Sequence, residues 1–544
     1  MATLKNKFSR SVLRTLIYGC ITGISVGVII TLFLICAKVI FAFTTRIYSA
    51  ADTPLVIICV VILALLCCFL TAVIQQLCPS AKGSGIPLAE GAARGMLRVK
   101  WLRSASALVA GSLLAFLAGM PLGGEGPSVG VGGLIGDGVG KLTKKPTEFR
   151  RYLITGGASA GLAVAFNAPL TGLCFAFEET HRRFSPYILA AAFSAVITGV
   201  LSSQAIMYGF SHIPYLASLG VSAGTSALSF LRPAAPSAVD FMKICGIAVL
   251  CGIASAALGV GFNRAIEALG KSLSKIKAPF LRLLPAFLLA AVCGLTLHLS
   301  VGSGEHTLAH ISTESAFALL FTLLVLRSVS TATASGAGST GGLFIPILAI
   351  GGLLGFIAAK LCIMCGMDAA LAPNIVLLCI SAFFAAVTRA PITAILLSVE
   401  LTASFVGLLP CAIAVAIAAV LTDATKTEPL YERMLETMRD TAPISAHAKN
   451  IVAIGEVPEG SPIADKRIRN ILWPYNSLVT ELRRGDNELV PDGETVIRTG
   501  DILTIRAENV DPGVFYSQIQ EFVTTDARHA PPPDSDFSAT ARNT

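Results

Sequence analysis

Three glycine-rich segments that end in proline carry the residues best suited to bind an anion. They are Gly83-Ser84-Gly85-Ile86-Pro87, Gly123-Gly124-Glu125-Gly126-Pro127 and Gly342-Leu343-Phe344-Ile345-Pro346. Proline is favoured in the first turn of a helix, where the backbone amides have no intrahelical acceptor and the helix dipole is positive. Each segment alone could be an ordinary helix break. Together they predict an anion site that lacks a full countercharge and therefore releases its ion readily.

Two of these segments belong to an internal repeat. Gly123–Pro127 is followed by Gly132-Gly133-Leu134-Ile135-Gly136, and Gly342–Pro346 by Gly351-Gly352-Leu353-Leu354-Gly355, at a displacement of 219 positions. Ala168-Pro169-Leu170-Thr171 with Glu178 returns 222 positions later as Ala390-Pro391-Ile392-Thr393 with Glu400. Repeats in a strongly apolar chain are typical of transporters that bind their substrate between two related halves.

The composition predicts a polytopic, all-α membrane protein. Hydrophobic residues make up 54% of the chain and charged residues 14%. Nine uncharged runs reach the roughly 20 residues that a bilayer core requires. These runs are 15–37, 53–81, 104–124, 184–231, 244–263, 283–304, 328–359, 369–388 and 401–422. Several are too long and too rich in glycine and proline for one straight helix, so we expect tilted and broken helices.

The basic residues indicate an orientation. Lys5, Lys7, Arg10 and Arg14 precede the first apolar run, which predicts a cytoplasmic N-terminus over residues 1–14. The apolar run is too long for a cleaved signal peptide and has no clear cleavage site. We therefore interpret the net charge of +8 as cytoplasmic-side lysine and arginine rather than as a nucleic-acid-binding surface.

Most of the fourteen cysteines lie in apolar runs, where cysteine acts as a small hydrophobic residue. Cys362 and Cys365 have the spacing of metal ligands, but no second pair accompanies them. We expect no metal site and no cofactor.

The chain changes character near residue 440. Residues 448–523 alternate short apolar segments with glycine and aspartate turns, which predicts a small β-rich soluble domain with strands such as 478–482 and 495–497. Residues 527–544 contain Pro531-Pro532-Pro533 and predict a disordered tail.

The glycine-proline segments resemble those of the CLC family of chloride channels and transporters. Phe166-Asn167-Ala168-Pro169-Leu170, Arg389-Ala390-Pro391 and Glu428-Pro429-Leu430-Tyr431 extend the resemblance, which covers about residues 10–435. It implies two inverted repeats, about 15–220 and 237–440, within a transport domain of residues 15–440. It also implies a homodimer in which each subunit has its own anion pathway, in a bacterial-type inner or plasma membrane with both termini cytoplasmic.

The resemblance implies roles for individual residues. The chloride-binding groups are the hydroxyls of Ser84 and Tyr431 and the backbone amides near the helix starts, at Gly124, Gly126, Leu343 and Phe344. Serine rather than proline at position 84 favours chloride over nitrate in this family.

Two glutamates match the family's proton-carrying positions. Glu125 matches the gating glutamate, which competes with the anion for the helix starts and leaves when protonated. Glu179 matches the inner proton-transfer glutamate of the exchangers. Alternatively, Glu178 and Glu179 cap a helix end beside Arg182 and Arg183. We expect Glu90 to be an interfacial residue.

One position departs from the family. Gly124 stands where a basic residue is usual, which should weaken the field that draws anions to the site.

The C-terminal domain resembles the TrkA-C module of potassium-uptake regulators. The segments that carry the resemblance are Pro458-Glu459-Gly460-Ser461-Pro462, Arg483-Arg484-Gly485 and Thr499-Gly500-Asp501. The resemblance implies a regulatory attachment that can dimerise or bind a small ligand.

Three hypotheses follow for the whole chain. The first is a proton-coupled chloride antiporter, the second a voltage- or pH-gated passive chloride channel on the same fold. The third, an intramembrane enzyme using Ser84 or the Glu178-Glu179 pair, leaves the repeat unexplained and is not favoured.

Overall fold

The structure is a computed structural model that describes residues 2–51, 53–181, 184–219, 231–441, 449–510 and 512–524. In these ranges the first half of the membrane part contains α1 (Ala2–Ser49), α2 (Pro54–Leu77), α3 (Gly85–Ala93), α4 (Trp101–Leu117), α5 (Glu125–Leu142), α6 (Thr147–Phe166), α7 (Pro169–Phe175), α8 (Pro186–Ser211) and α9 (Pro214–Ser218). The second half contains α10 (Ala238–Ser274), α11 (Pro279–Thr296), α12 (Glu305–His310), α13 (Phe317–Gly336), α14 (Phe344–Met364), α15 (Ala372–Thr388), α16 (Pro391–Thr402), α17 (Leu408–Ala424) and α18 (Leu430–Thr441). Shorter helical turns are Pro79–Ala81, Ala176–Thr180, His298–Ser300 and Ala369–Leu371.

Eight helical segments of the described chain are long and apolar enough to cross a membrane. They are Ser11–Ser49, Pro54–Leu77, Pro186–Ser211, Ala238–Ser274, Pro279–Thr296, Phe317–Gly336, Phe344–Met364 and Ala369–Thr388. The glycine-rich helices α5 and α6 are almost wholly buried among them. The chain is a multi-pass membrane protein, as its composition predicts.

The two halves pair through matching backbone hydrogen bonds. The amide of Gly83 donates to the carbonyl of Gly338 at 3.1 Å, and the amide of Gly302 donates to that of Gly119 at 3.2 Å. The two donors, Gly83 and Gly302, are 219 positions apart, and so are the two acceptors, Gly119 and Gly338. The first half donates in one bond and accepts in the other. This reciprocity is the mark of a pseudo-two-fold axis and confirms the predicted inverted-repeat fold.

Both halves break a helix in the same way. Helix α6 ends at Asn167 with φ of 53°, and α15 ends at Arg389 with φ of 65°, both in the left-handed conformation that terminates helices. The next helices then begin with Pro169 and Pro391, whose fixed φ and missing N–H suit the first helical position.

Glu178 and Glu400 occupy equivalent positions in the two halves, and each caps the N-terminus of a helix in the other half. Glu178 accepts hydrogen bonds from the backbone amides of Ile392 and Thr393, at the start of α16, at 2.8 and 2.7 Å. Glu400 accepts the two matching bonds at the start of α7, at the same distances. Each carboxylate also accepts a threonine hydroxyl at 2.6 Å. Glu178 is thus a cap, although on a different helix from the one expected; Arg182 and Arg183 lie outside the described residues.

We expect Glu178→Gln and Glu400→Gln to destabilise the membrane part to a similar degree. Each change weakens three charge-assisted hydrogen bonds at a helix N-terminus, and such bonds contribute about 1.5–3 kcal/mol apiece before compensation by the amide. The apparent melting temperature in detergent measures the loss, with the exposed Glu314→Gln as control. If one variant lowered the melting temperature and the other left it almost unchanged, the two glutamates would not have equivalent capping roles.

The C-terminal domain is a four-stranded antiparallel sheet with strand order β1-β4-β2-β3. Its elements are β1 (Lys449–Glu456), β2 (Leu478–Arg484), β3 (Asn487–Leu489), β4 (Ile502–Val510) and α19 (Pro512–Ile519), with short turns at Ile468–Asn470 and Pro474–Asn476. The β-rich class is confirmed, but the predicted strand at 495–497 forms only an isolated bridge between Val496 and Arg467. The predicted tail at 527–544 lies outside the described residues.

This domain packs against the start of α6. Lys466 forms an ion pair with Glu148 at 2.7 Å, and Arg151 Nη1 donates to the carbonyl of Leu472 at 2.8 Å. Glu148 and Arg151 are only 1% and 2% exposed. Because buried charges need partners, these contacts fix the domain against the membrane part.

Candidate anion and proton pathway

The starts of α5 and α14 cross at two glycines. Gly123 and Gly342 donate their amides to each other's carbonyls, both at 2.8 Å. Next to this bridge, a Cβ atom on Gly126 would lie 2.6 Å from Gly342 Cα and 2.6 Å from Ser84 Oγ. No side chain fits there, so glycine is what allows the three predicted helix starts to meet at one place.

The backbone groups predicted to bind the anion lie at these two helix starts. Gly124 precedes the first residue of α5 and Leu343 precedes the first residue of α14. Gly126 and Phe344 belong to the first turns, whose amides have no acceptor within the helix. The crossing therefore brings amides from both halves, and two positive dipole ends, to the same small volume.

Ser84 precedes α3 as its N-cap and is 1% exposed. Its Oγ accepts the amide of Ile86 at a long 3.5 Å, which leaves the hydroxyl proton available for donation. The hydroxyl thus adds a neutral donor beside Gly126, as the sequence predicts.

Tyr431, in the first turn of α18, is also 1% exposed. Among the described residues its Oη atom has no hydrogen-bond partner. A buried hydroxyl without an acceptor is costly, and an anion is the kind of group that would accept its proton. Glu179, Glu90 and Glu125 all lie close enough for their charges to act on this hydroxyl.

Glu125 is the first residue of α5 and is 8% exposed. Its carboxylate lies close to its own amide and to the amide of Ile345, the second residue of α14, and its Oε2 atom has no hydrogen-bond partner among the described residues. The side chain therefore occupies the space between the two helix starts, where an anion would bind.

Glu179 lies apart from the crossing, on the π-helical segment Ala176–Thr180, and is 4% exposed. Arg94 fixes this segment by donating to the carbonyls of Glu179 and Thr180 at 2.7 and 2.8 Å. Glu90 is buried, with 2% of its surface exposed, and its interfacial position stays a prediction.

Two cavities approach the crossing from opposite sides. One, of about 530 Å³, is lined by Gly124, Glu125 and Ile345. The other, of about 450 Å³, is lined by Gly83 and Leu430, the neighbours of Ser84 and Tyr431. The helix starts thus separate two wide approaches, as a binding site in a membrane pathway must.

The first cavity also contains two charged residues that the sequence analysis did not single out. Lys38 enters it from α1, and Glu305 follows Gly302-Ser303-Gly304. That triplet lies 219 positions after Gly83-Ser84-Gly85, so the repeat displacement could have revealed it. No sequence pattern marks Lys38, because only the packing of α1 against α5 brings it near Glu125.

The cavity that holds Lys38 lies on the face away from the C-terminal domain. Val12, near the start of α1, packs in a cluster with Leu472 of that domain. Lys38 lies 26 residues further along the same helix, about 39 Å away at 1.5 Å per residue.

Comparison with known proteins agrees with this geometry. Residues 66–423 match the voltage-gated chloride channel family, and residues 452–511 match the TrkA-C domain. The chain is 31% identical over 392 residues to the H(+)/Cl(-) exchange transporter ClcA of Vibrio parahaemolyticus, which covers 70% of this chain and 80% of the relative. It is 31% identical over 399 residues to the protein of the same description from Yersinia pestis, covering 71% and 79%.

Solved structures give the same result. A slow cyanobacterial Cl⁻/H⁺ antiporter superposes with a TM-score of 0.70 at 25% identity, covering 79% of this chain and 99% of that one. A eukaryotic CLC transporter superposes with a TM-score of 0.61 at 19% identity, covering 78% and 74%, and shares the fold. The chain therefore belongs to the voltage-gated chloride channel (CLC) family and carries a C-terminal TrkA-C domain.

Proposed function

We propose that this protein is a proton-coupled chloride antiporter, which moves chloride across the membrane in exchange for protons. The observation that carries the proposal is the carboxylate of Glu125 between the starts of α5 and α14. A carboxylate and a chloride ion cannot both occupy these amides, since both are anions. Protonation of Glu125 removes its charge and allows it to leave, so that proton binding and chloride binding are linked.

Glu179 supplies the second proton-carrying group. It is buried on the side of the crossing where Tyr431 and Ser84 lie, and the charge of Glu125 also reaches Tyr431. A carboxyl group is a side chain that can take up a proton and release it again. We propose that protons pass between Glu179 and Glu125, while chloride passes between Ser84 and Tyr431.

The alternative is a passive chloride channel on the same scaffold. A buried carboxyl at position 179 has no use in a channel, and it must be desolvated at a cost. The names of the curated relatives and of the solved structure at 25% identity also support the antiporter. We propose no enzymatic activity.

Purified protein in liposomes is expected to move protons against their gradient when chloride flows down its own. A pH electrode in weakly buffered medium records proton movement, and a chloride electrode records the anion. An uncoupler that collapses the proton gradient serves as the control. Chloride flux without any pH change would replace the antiporter with the channel.

We further propose a homodimer in a bacterial inner or plasma membrane, with both termini and the TrkA-C domain cytoplasmic. The basic residues Lys5, Lys7, Arg10 and Arg14 support this orientation. Exposed apolar side chains on α8 and α16, such as Leu201 and Ile392, offer surface for a second subunit or for lipid.

We propose that Lys38 partly compensates for the glycine at position 124. It lines the same cavity as Gly124 and Glu125 and places a positive charge from α1 there, although the nearby Glu305 carboxylate offsets part of its field. We expect Lys38→Gln to raise several-fold the chloride concentration needed for half-maximal transport from that face. The effect should shrink at high ionic strength, because the field is screened over about 10 Å at 0.1 M salt.

Gly124→Arg tests the same idea by rescue. A Cβ atom at position 124 would meet only the end of the Leu34 side chain, at 3.1 Å, and the phenyl ring of Phe33 at 3.5 Å. The side chain can therefore be accommodated by a small shift. In the double variant, Gly124→Arg should restore most of the apparent chloride affinity that Lys38→Gln loses. If it does not, Lys38 has a role other than attracting chloride to the site.

A further inference from the structure

A cavity of about 280 Å³ lies between the C-terminal domain and the membrane part. Four cationic and two anionic side chains line it, giving two more positive than negative charges. They are Arg98, Lys141, Arg150, Arg151, Asp137 and Glu521. The cavity exists only while the two parts are docked, because Glu521 and its neighbours in α19 form one wall.

The charges in this cavity are not balanced within it. Lys141 and Arg150 share a single carboxylate, that of Asp137, at 2.5 and 2.9 Å. Glu521 accepts hydrogen bonds from the amide and hydroxyl of Thr147 at 3.0 and 2.6 Å, and its charge also acts on Arg151. The cavity lining as a whole therefore has two more cationic than anionic side chains.

Arg151 is the strongest indication of a ligand. Its guanidinium is 2% exposed and donates only to neutral groups among its hydrogen-bond partners, the carbonyl of Leu472 and the side-chain oxygen of Gln518 at 2.7 Å. Its Nε atom has no partner among the described residues. The carboxylates of Glu148 and Glu521 lie close enough for their charges to act on Arg151, but neither accepts a hydrogen bond from it among the described residues. The buried Nε donor is therefore left for a ligand oxygen.

We propose that this interdomain cavity binds a small dianion, namely a phosphate or a phosphate monoester. Two net positive charges match a dianion, and guanidinium groups bind phosphate oxygens in pairs. The phosphate comes either from a free solute or from a lipid headgroup at the membrane surface.

Ligand binding here reaches the proton pathway through one loop. Gly95 lines the cavity, and its carbonyl accepts the Gln518 amide at 3.2 Å. The preceding residue, Arg94, accepts the amide of Tyr475 through its carbonyl at 3.3 Å, while its guanidinium fixes the segment of Glu179. A dianion that stabilises docking thereby stabilises the position of Glu179. This last step rests on the proposed antiport.

Binding is tested on the full-length protein in detergent, independently of transport. Inorganic pyrophosphate and inorganic phosphate are titrated, with thermal unfolding and tryptophan fluorescence as the readouts. Trp101 packs against Gly138, one residue from Asp137, and Trp473 follows Leu472, so both tryptophans lie near the cavity. We expect saturable stabilisation, which sodium chloride at the same ionic strength does not reproduce.

Two variants assign the binding to the cavity. Arg151→Gln and the exposed Arg98→Gln should each weaken pyrophosphate binding about tenfold, the loss of roughly one charge-assisted contact. Arg506→Gln, an exposed change on β4, is the matched control and should bind normally. Arg98→Gln remains informative if Arg151→Gln fails to fold. No saturable binding, or equal binding by all variants, overturns the proposal.

Two further measurements identify the source of the phosphate and test how its binding affects transport. If phosphatidic acid, whose headgroup is a phosphate monoester, competes with pyrophosphate in nanodiscs and phosphatidylcholine does not, the lipid headgroup is the occupant. Without competition the occupant is a free phosphate. Pyrophosphate added on the domain's side should then change the number of protons moved per chloride. Normal binding with unchanged coupling would overturn only the link through Arg94, whereas absent proton transport without ligand would refute the antiport itself.

Discussion

Glu125→Gln is expected to abolish proton transport while leaving a chloride flux. The amide has the shape of the protonated carboxyl but cannot release a proton, so it resembles a gate held in its neutral state. It also carries no charge to compete for the amides of α5 and α14. In liposomes, a chloride gradient should then drive chloride movement without any change of pH.

The matched control is Glu314→Gln, an exposed change far from the helix starts, which should keep wild-type coupling. The chloride flux of Glu125→Gln should also depend less on external pH than that of the wild type, because the titrating group is gone. Normal proton coupling in this variant would show that Glu125 is not the gate.

The centre of the pathway could be predicted because its determinants are local. A Gly-x-x-x-Pro pattern specifies a helix start, and the repeat displacement showed that two such starts are related. The crossing of Gly123 with Gly342 follows from that symmetry, and the structure brings Ser84 to the same place. Glu125 needs only its position at the first residue of α5 to face the anion.

Other features depend on packing between distant segments, which no local pattern reports. Glu178 and Glu400 were recognised as a repeat pair, but their reciprocal capping requires the two halves to face each other. Lys38 reaches the Glu125 cavity only through the direction of a long helix. The contact of Tyr475 with Arg94 joins residues almost 400 positions apart. The sequence therefore predicted a regulatory domain but not where it contacts the membrane part.

The strand predicted at 495–497 failed for a similar reason. Alternation and flanking turns favour a strand, but a strand also needs a partner along its length. In the structure the backbone of residues 495–497 hydrogen-bonds to the backbone of the irregular segment 465–468 and not to that of the four-stranded sheet, so these residues form only an isolated bridge.

The second large effect concerns two adjacent glutamates that should behave differently. Glu179→Gln is expected to reduce proton flux to background and to preserve chloride flux, because Glu179 is buried near Tyr431 but takes no part in the helix-start crossing. Neighbouring Glu178→Gln is expected to lower the melting temperature while preserving coupling, since Glu178 caps α16.

The pair provides its own control. The two changes are chemically identical and one residue apart, so an effect of charge on the surrounding membrane or on the π-helical segment would appear in both. Only a residue on the proton route should separate proton flux from chloride flux. The measurement is the initial rate of both ions in the same liposome preparation, with the melting temperature taken beforehand. Uncoupling by Glu178→Gln but not by Glu179→Gln would exchange the two roles and place the proton route along the contact between α7 and α16.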